Sequence, residues 1–393
     1  MIASGYAEVG PLGARAAALI RALTALILVY FFLVSIQLMG GSLKFLGTGF
    51  AQGMIKLTSN PFVGLFIGVL ATSIVQSSSA VTSMVVVATC AGTVTIGGAI
   101  PIVMGANIGT SVTNLLVSFS LVTHTAEYRR AFTGAIVHDL FNLCSVAVLF
   151  PLELATGILR KLAVATTSLF EGVGGLKFTG IIRAAVKPVS GTIIEAWKEA
   201  LGPESKVAAI SLLILSLVML FSALFLITRL MRSAVLTRLE HILRRYLFRN
   251  APIAFLFGVA LTAVVQSSSV TTSAVVPLVG AGVLTVRHIY PYTLGANIGT
   301  TVTAMLAALV EAGRGAGGAA AAANPVGVTV ALCHLFFNIA GTAIFYPLRI
   351  IPISLAERLA EIAAGRKIFG LLYVLIVFFI IPGLLILISK LLS

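Results

Sequence analysis

Residues 72–87 read TSIVQSSSAVTSMVVV, and residues 262–277 read TAVVQSSSVTTSAVVP. Ten of the sixteen positions are identical, including the whole QSSS tetrapeptide. Each copy places one carboxamide and several hydroxyl groups inside an apolar stretch. The recurrence after 190 residues indicates one structural unit with a polar centre that is used twice.

The duplication extends to two further segments. Residues 104–113 (MGANIGTSVT) match residues 294–303 (LGANIGTTVT) at eight of ten positions with the same 190-residue spacing. The motif HDLFN, which begins at His138, matches HLFFN, which begins at His334. This last pair is 196 residues apart, and we assign the six extra residues to the Gly/Ala-rich segment 313–323.

The composition is too apolar for a water-soluble globule, with 59% hydrophobic and 10% charged residues among 393. Apolar runs long enough for membrane-spanning helices begin at Ala22, Val207, Val326 and Ile368, and they lack the alternation of barrel strands. We predict an all-α, multi-pass protein of the cell membrane, whose first apolar run is retained instead of cleaved as a signal peptide. The net charge of +14 is explained by membrane topology, so no nucleic-acid partner is expected.

The arms that flank each QSSS are too short to cross a bilayer separately. Residues 61–75 as a helix would extend about 22 Å, against a hydrocarbon core of about 30 Å. We therefore predict re-entrant helical hairpins over residues 61–92 and 251–283, with tips near mid-membrane that face protein or a wet cavity. Each unit then has three full spans, an odd number, which predicts two repeats of inverted topology.

The predicted organisation has four parts. The first repeat covers residues 1–156, and an extracellular or periplasmic linker with amphipathic pieces and loop covers residues 157–206. The second repeat covers residues 207–350, and residues 351–393 contain a linker and a C-terminal span. The arginine-rich segment 229–249 is predicted to be cytoplasmic, which places the N-terminus inside and the C-terminus outside.

Both hairpins lack charged residues, because no Asp, Glu, Lys or Arg occurs between Lys56 and Glu127 or between Arg249 and Arg287. Their hydroxyls and carboxamides donate and accept hydrogen bonds. Helix N-termini at the tips favour an anion, whereas carbonyl and hydroxyl oxygens at helix breaks favour sodium. The pattern predicts coupled transport. The repeated GANIG also fits small-residue helix packing, so we expect close packing together with a helix break there.

The third span of each unit carries a histidine. We interpret His138 and His334 as hydrogen-bonded interior residues and predict no transition-metal site, because no second ligand stands nearby in the sequence. Asp139 lies within an apolar span and is a functional candidate, and the alternative is that it pairs with His138 or a backbone group. Asn142 and Asn338, which close the two motifs, are further candidates.

The combination of VQSSS, GANIGTSVTN and RRAFTGAIVHDLFN with VQSSSVTTS, TLGANIGTT and LCHLFFNIAG resembles the type II sodium-dependent phosphate cotransporters. The resemblance covers residues 20–155 and 207–350, and it implies that the QSSS hairpins form the phosphate and sodium sites, with co-transported Na⁺ and no other cofactor. The implied phosphate residues are Gln76, Ser77, Ser78, Ser79, Gln266, Ser267, Ser268 and Ser269. The implied sodium residues are Gln76, Thr82, Asn107, Thr110, Ser111, Gln266, Thr272, Asn297, Thr300 and Thr301.

The chain also departs from that family's pattern. Ala80 follows the first QSSS, where relatives often have Thr. The linker contains no cysteine, and in this respect the chain resembles a compact, bacterial-type member of the family. Electrogenic relatives are associated with an Asp after the first hairpin, and residues 80–121 contain none. The resemblance thus predicts electroneutral uptake of two Na⁺ with one HPO₄ dianion by alternating access.

Three other functions compete with this one. A sodium-coupled transporter of another small anion or a passive anion channel could use the same polar tips. A serine hydrolase is disfavoured, because neither hairpin contains a His, Asp or Glu to serve as base. The expected partners are inorganic phosphate, sodium ions and the lipid bilayer, and a homodimer is one possible assembly.

Overall fold

The computed structural model describes residues 11–172, 175–202, 205–242, 250–312 and 325–392. Within these ranges the regular structure is helical and contains no strand. The described residues contain seven helical segments long and apolar enough to cross a membrane, or eight if the bent helix pair over residues 47–75 counts as one span, which confirms the predicted all-α membrane fold. The Gly/Ala-rich residues 313–323 and the arginine-rich residues 243–249 lie outside the described residues.

The first repeat contains helices α1 to α7. They are α1 (Pro11–Phe45), α2 (Gly47–Thr58), α3 (Pro61–Val75), α4 (Ser78–Cys90), α5 (Ile96–Gly109), α6 (Val112–Ser118) and α7 (Thr125–Thr156). The full spans are α1, α5 with α6, and α7, whereas α3 and α4 are the arms of the first hairpin. Helix α2 meets α3 at a bend of 100°.

The second repeat presents the same order of span, hairpin, span and span. Its helices are α10 (Lys206–Ile242), α11 (Ala251–Val265), α12 (Ser268–Ser273), α13 (Val276–Gly280), α14 (Val286–Ala312) and α15 (Val326–Phe345). Helix α16 (Ile350–Gly365) then packs on α7, and the last span consists of α17 (Lys367–Leu375), a π-helical turn and α18 (Ile381–Leu392). The inverted orientation of the repeats and their membrane sidedness stay predictions.

The segment between the repeats is more helical than expected. Its described part forms α8 (Ile158–Gly172) and α9 (Gly175–Leu201). The reason is packing: the Thr167 hydroxyl on α8 lies 3.2 Å from that of Thr329 on α15, and Ser190 on α9 donates to Gln37 Oε1 on α1 at 2.5 Å. Both helices therefore pack against the repeats.

Each hairpin turns at its glutamine. Gln76 has φ 57° and ψ 25°, and Gln266 has φ 59° and ψ 23°; they are the only described residues other than glycine with positive φ. Left-handed backbone ends a helix but is costly for a residue with a side chain. Ser77 and Ser267 start the second arms by accepting hydrogen bonds from the backbone N–H groups of Ala80 and Val270, at 3.2 and 3.4 Å.

The second arms of the two hairpins differ. Helix α4 is continuous, whereas its counterpart is divided into α12 and α13. Pro277 occupies the first turn of α13, where the first hairpin has Val87. Proline cannot donate the helical hydrogen bond and collides with the preceding turn, which explains the interruption.

Glycines let the GANIG helices touch the hairpins. A methyl group on Gly105 of α5 would overlap the backbone carbonyl of Leu65 on α3, and one on Gly295 of α14 would overlap that of Phe255 on α11. The expected close packing is thus present in both repeats. The expected helix break occurs only in the first, at Thr110 and Ser111, because Ser111 N–H bonds to the carbonyl three residues back; α14 is unbroken.

We predict that Gly105→Ala destabilises the protein by about 2 kcal/mol or more, because the new methyl group meets backbone that cannot move aside without separating α3 from α5. The measurement is the midpoint of thermal unfolding in detergent. Gly97→Ala, on the same helix, is the control, since no heavy atom lies within 4 Å of its new methyl group. Equal midpoints for the two variants would contradict the packing account.

Candidate functional site

The tips of the two hairpins meet at one cavity of about 570 Å³. Gln76 and Ser77 line it from the first tip, and Gln266, Ser267 and Ser269 line it from the second. The tips also touch directly, because the Ser79 hydroxyl donates to the backbone carbonyl of Gln266 at 3.0 Å. Residues of α10 form an apolar wall with one hydroxyl, and they are Phe221, Leu224, Phe225 and Thr228.

Both glutamine side chains are held in the same way. The Gln76 carboxamide donates to the Ser73 carbonyl and accepts from the Thr113 hydroxyl at 2.7 Å. The Gln266 carboxamide donates to the Ala263 carbonyl and accepts from the Thr303 hydroxyl at 2.7 Å. The carboxamides are therefore fixed on the cavity wall by their own arm and by a helix of the following span, α6 for Gln76 and α14 for Gln266.

Thr113 and Thr303 were not among the predicted site residues. The sequence does mark them as equivalent, because Thr113 ends GTSVT and Thr303 ends GTTVT at the 190-residue repeat spacing. Their hydroxyls donate to the two glutamine carboxamides and hold them in place.

Only some of the predicted phosphate serines line the cavity. Ser78 and Ser268 are buried inside the second arms, where their carbonyls accept the hydroxyls of Thr82 at 2.8 Å and Thr272 at 2.7 Å. Ser79 contacts the opposite tip instead of the cavity. These residues fix the shape of the tips, whereas Ser77, Ser267 and Ser269 provide hydroxyls to the cavity lining.

The two histidines cross-link the repeats. His138 Nε2 donates to Asn297 Oδ1 at 2.5 Å, and His334 Nε2 donates to Asn107 Oδ1 at 3.4 Å. Each histidine thus reaches the GANIGT asparagine of the other repeat. Asn142 continues the network, because it accepts from Asn297 Nδ2 at 2.8 Å and donates to the Asn107 carbonyl at 3.0 Å.

Asn114 connects this network to the second hairpin. Its Oδ1 accepts from the Thr272 hydroxyl at 3.0 Å, and its Nδ2 donates to His138 Nδ1 at 3.4 Å. Asn114 is not part of the repeated pattern in the sequence, because Ala304 occupies the corresponding position of the second repeat.

The remaining predicted sodium residues are engaged locally. The hydroxyls of Thr110, Thr300 and Thr301 donate to carbonyls of their own helices at 3.0, 3.1 and 2.7 Å. Asn338 Nδ2 likewise donates to the His334 carbonyl at 3.0 Å. A donating hydroxyl keeps its lone pairs, so these threonines retain the capacity to bind a cation.

Asp139 has a partner that the sequence did not indicate. Its carboxylate accepts from the Tyr373 hydroxyl of the last span, whereas the alternative considered from the sequence was His138 or a backbone group. Ser111, at the break between α5 and α6, lies close to the same carboxylate. Both residues are fully buried, and apart from each other neither Asp139 Oδ1 nor Ser111 Oγ has a hydrogen-bond partner among the described residues.

The cavity has polar groups at the hairpin tips and a largely apolar wall, and none of the described residues that line it is Asp, Glu, Lys, Arg or His. An ion that enters it leaves the stabilisation of bulk water and meets only dipoles of hydroxyl, carboxamide and backbone groups. An isolated buried ion is costly, so the arrangement favours the entry of opposite charges together.

The chain is similar to known proteins over most of its length. A family model described as Na⁺/Pi-cotransporter matches residues 31–167 and 218–374, which include both hairpins and both GANIGT segments. The chain is 32% identical over 443 residues to sodium-dependent phosphate transport protein 2B of Pongo abelii, covering 90% of the chain and 63% of the relative. It is 33% identical over 425 residues to protein 2A of Rattus norvegicus, covering 91% and 66%.

The chain spans slightly less than two thirds of the length of these curated relatives. No solved structure matches it. The family match nevertheless covers most of the chain, and its two segments carry every residue that lines the cavity. The chain therefore belongs to the Na⁺/Pi-cotransporter family.

Proposed function

We propose that this protein is a secondary transporter of the cell membrane that couples sodium to the uptake of inorganic phosphate by alternating access. The observation that carries the proposal is the meeting of two uncharged QSSS tips at one cavity. The names of the relatives, which are sodium-dependent phosphate transport proteins, support the choice of both ions.

Phosphate would be held by hydrogen-bond donors that point into the cavity. The hydroxyls of Ser77, Ser267 and Ser269 are available there, and each glutamine carboxamide has a second N–H donor besides the one that binds its own arm. Neutral donors suit a small anion when its charge is balanced by a bound cation.

Sodium would supply the positive charge that the protein lacks at the cavity. Hydroxyl and carbonyl oxygens at the hairpin turns are the ligands that a small hard cation prefers. Because neither ion is stable there alone, the two are bound together, and this requirement is the physical basis of coupling.

We expect phosphate uptake into proteoliposomes to need sodium outside and to fall to background when choline replaces it. Gln76→Ala and Gln266→Ala should each reduce uptake at least about tenfold, because each removes a fixed donor and acceptor from the cavity wall. Sulfate competition tests the choice of anion. Undiminished uptake in choline would instead support a passive anion channel.

Thr113→Val tests the orienting role of this hydroxyl without changing side-chain size. The lost hydrogen bond to Gln76 should lower kcat/KM for phosphate by about threefold to tenfold, as expected for a bond worth about 1 kcal/mol. Thr113→Ser keeps the hydroxyl and serves as control. Similar losses in both variants would assign the effect to packing.

Charge balance sets the number of sodium ions. Two sodium ions balance the charge of one HPO₄ dianion, and this is the electroneutral stoichiometry expected from the sequence. That expectation rested on the absence of an acid from residues 80–121, yet Asp139 reaches Ser111 of this segment from α7. Its unpartnered Oδ1 favours a third ion bound there and one net positive charge per cycle.

We expect phosphate to evoke an inward positive current in sodium-containing proteoliposomes. Asp139→Asn, which keeps the shape of the side chain, should abolish the current while leaving slower, electroneutral uptake. The measurement combines voltage-sensitive dye with labelled phosphate. An electrically silent unsubstituted protein would support the two-ion form.

A further inference from the structure

The last span lies outside both repeats and faces mostly away from the protein. Side chains such as Ile368, Leu371, Leu372 and Leu375 are exposed on its surface. Tyr373 differs from them, because it is half-buried and its hydroxyl donates to the Asp139 carboxylate. A peripheral helix therefore supplies one polar group to the buried acid of the first repeat.

Tight packing fixes the position of this tyrosine. One turn earlier, a methyl group on Gly370 would overlap the Tyr128 hydroxyl and lie 2.9 Å from Phe119. Val374 and Phe378 are buried on the same side, and the Tyr373 ring makes an edge contact with Phe378 at 6.1 Å between centroids. The hydroxyl is thus presented to Asp139 by a helix face that cannot slide without breaking these contacts.

The carboxylate is only half satisfied by this hydrogen bond. Tyr373 occupies Oδ2, whereas Oδ1 and the neighbouring Ser111 hydroxyl have no partner among the described residues other than each other. Both oxygens keep unused lone pairs, and two such oxygens side by side are suited to binding a small cation. The negative charge of a carboxylate selects a cation.

The pair formed by Asp139 Oδ1 and Ser111 Oγ is connected to the cavity by the backbone of residues 111–113. Ser111 stands two residues before Thr113, whose hydroxyl holds the Gln76 carboxamide. The second repeat has no equivalent, because Leu335 replaces the acid. The duplicated fold therefore acquires this feature once, and the element that completes it comes from outside the duplication.

We propose that Tyr373 is a positioning residue for sodium: it holds Asp139 by one carboxylate oxygen so that the other faces Ser111 and can bind the cation. The proposal rests on the proposed function, because it assigns one of the sodium ions to Asp139. It adds that the last span sets the sodium affinity of the transporter without contacting the phosphate cavity.

The test is sodium binding by the purified full-length chain in detergent, without phosphate. The thermal unfolding midpoint is followed while sodium chloride replaces choline chloride at constant ionic strength. For Tyr373→Phe, the sodium concentration that gives half of the stabilisation should rise about tenfold, as expected when a hydrogen bond to a charged group is lost. In an Asp139→Asn background the same substitution should cause no further rise.

Tyr128→Phe is the matched control. Tyr128 lies in the same α7–α17 contact, but its buried hydroxyl has no hydrogen-bond partner among the described residues, so its removal should leave the sodium titration unchanged. Unchanged sodium dependence in Tyr373→Phe would overturn the proposal. So would an equal rise with and without Asp139, or the absence of any sodium effect on the unsubstituted chain.

Uptake assays separate this inference from the proposed function. Sodium-dependent phosphate uptake with a normal sodium titration of Tyr373→Phe would overturn the positioning role alone. A tenfold shift of the titration without phosphate uptake would support the positioning role and reject phosphate as the cargo.

Discussion

The uncharged contact between the two hairpin tips is the constraint on which the rest of the structure depends. Gln76 and Gln266 adopt left-handed backbone conformations at the hairpin turns, and their carboxamides find partners within the protein. Thr113 on α6 and Thr303 on α14 provide those partners. Glycines at the helix contacts bring the donors close enough, so tip geometry and helix packing determine each other.

The two repeats satisfy each other's polar groups. His138 and His334 bind the asparagines of the opposite repeat, Ser79 binds the opposite tip, and Thr272 binds Asn114. Part of each repeat's buried polar network is completed only by the other repeat. The duplicated unit therefore produces one shared site at the interface, lined by uncharged residues.

Differences between the copies show where the molecule departs from symmetry. The first repeat has Asp139, Ser111 and a helix break, and the second has Leu335, Thr301 and a continuous α14. All three features of the first repeat lie together next to the last span. The charge of the protein near the cavity is therefore set by an asymmetric addition to a nearly symmetric framework.

Much of this was predictable from local sequence. The composition predicts the membrane class, the identical segments predict the duplication, and the arm length predicts hairpins with QSSS at their tips. Each of these predictions depends on residues that are close together in the chain. The repeat spacing also contained the signal of Thr113 and Thr303, although their role as glutamine partners required the coordinates.

The sequence by itself determined the membrane-embedded helical class, the two polar hairpins and the absence of charge at their tips. Only the tertiary structure decided which polar groups pair. His138 and Asn297 are 159 residues apart, and Asp139 and Tyr373 are 234 residues apart. Such contacts depend on how whole helices are placed against one another, and no local pattern encodes that placement.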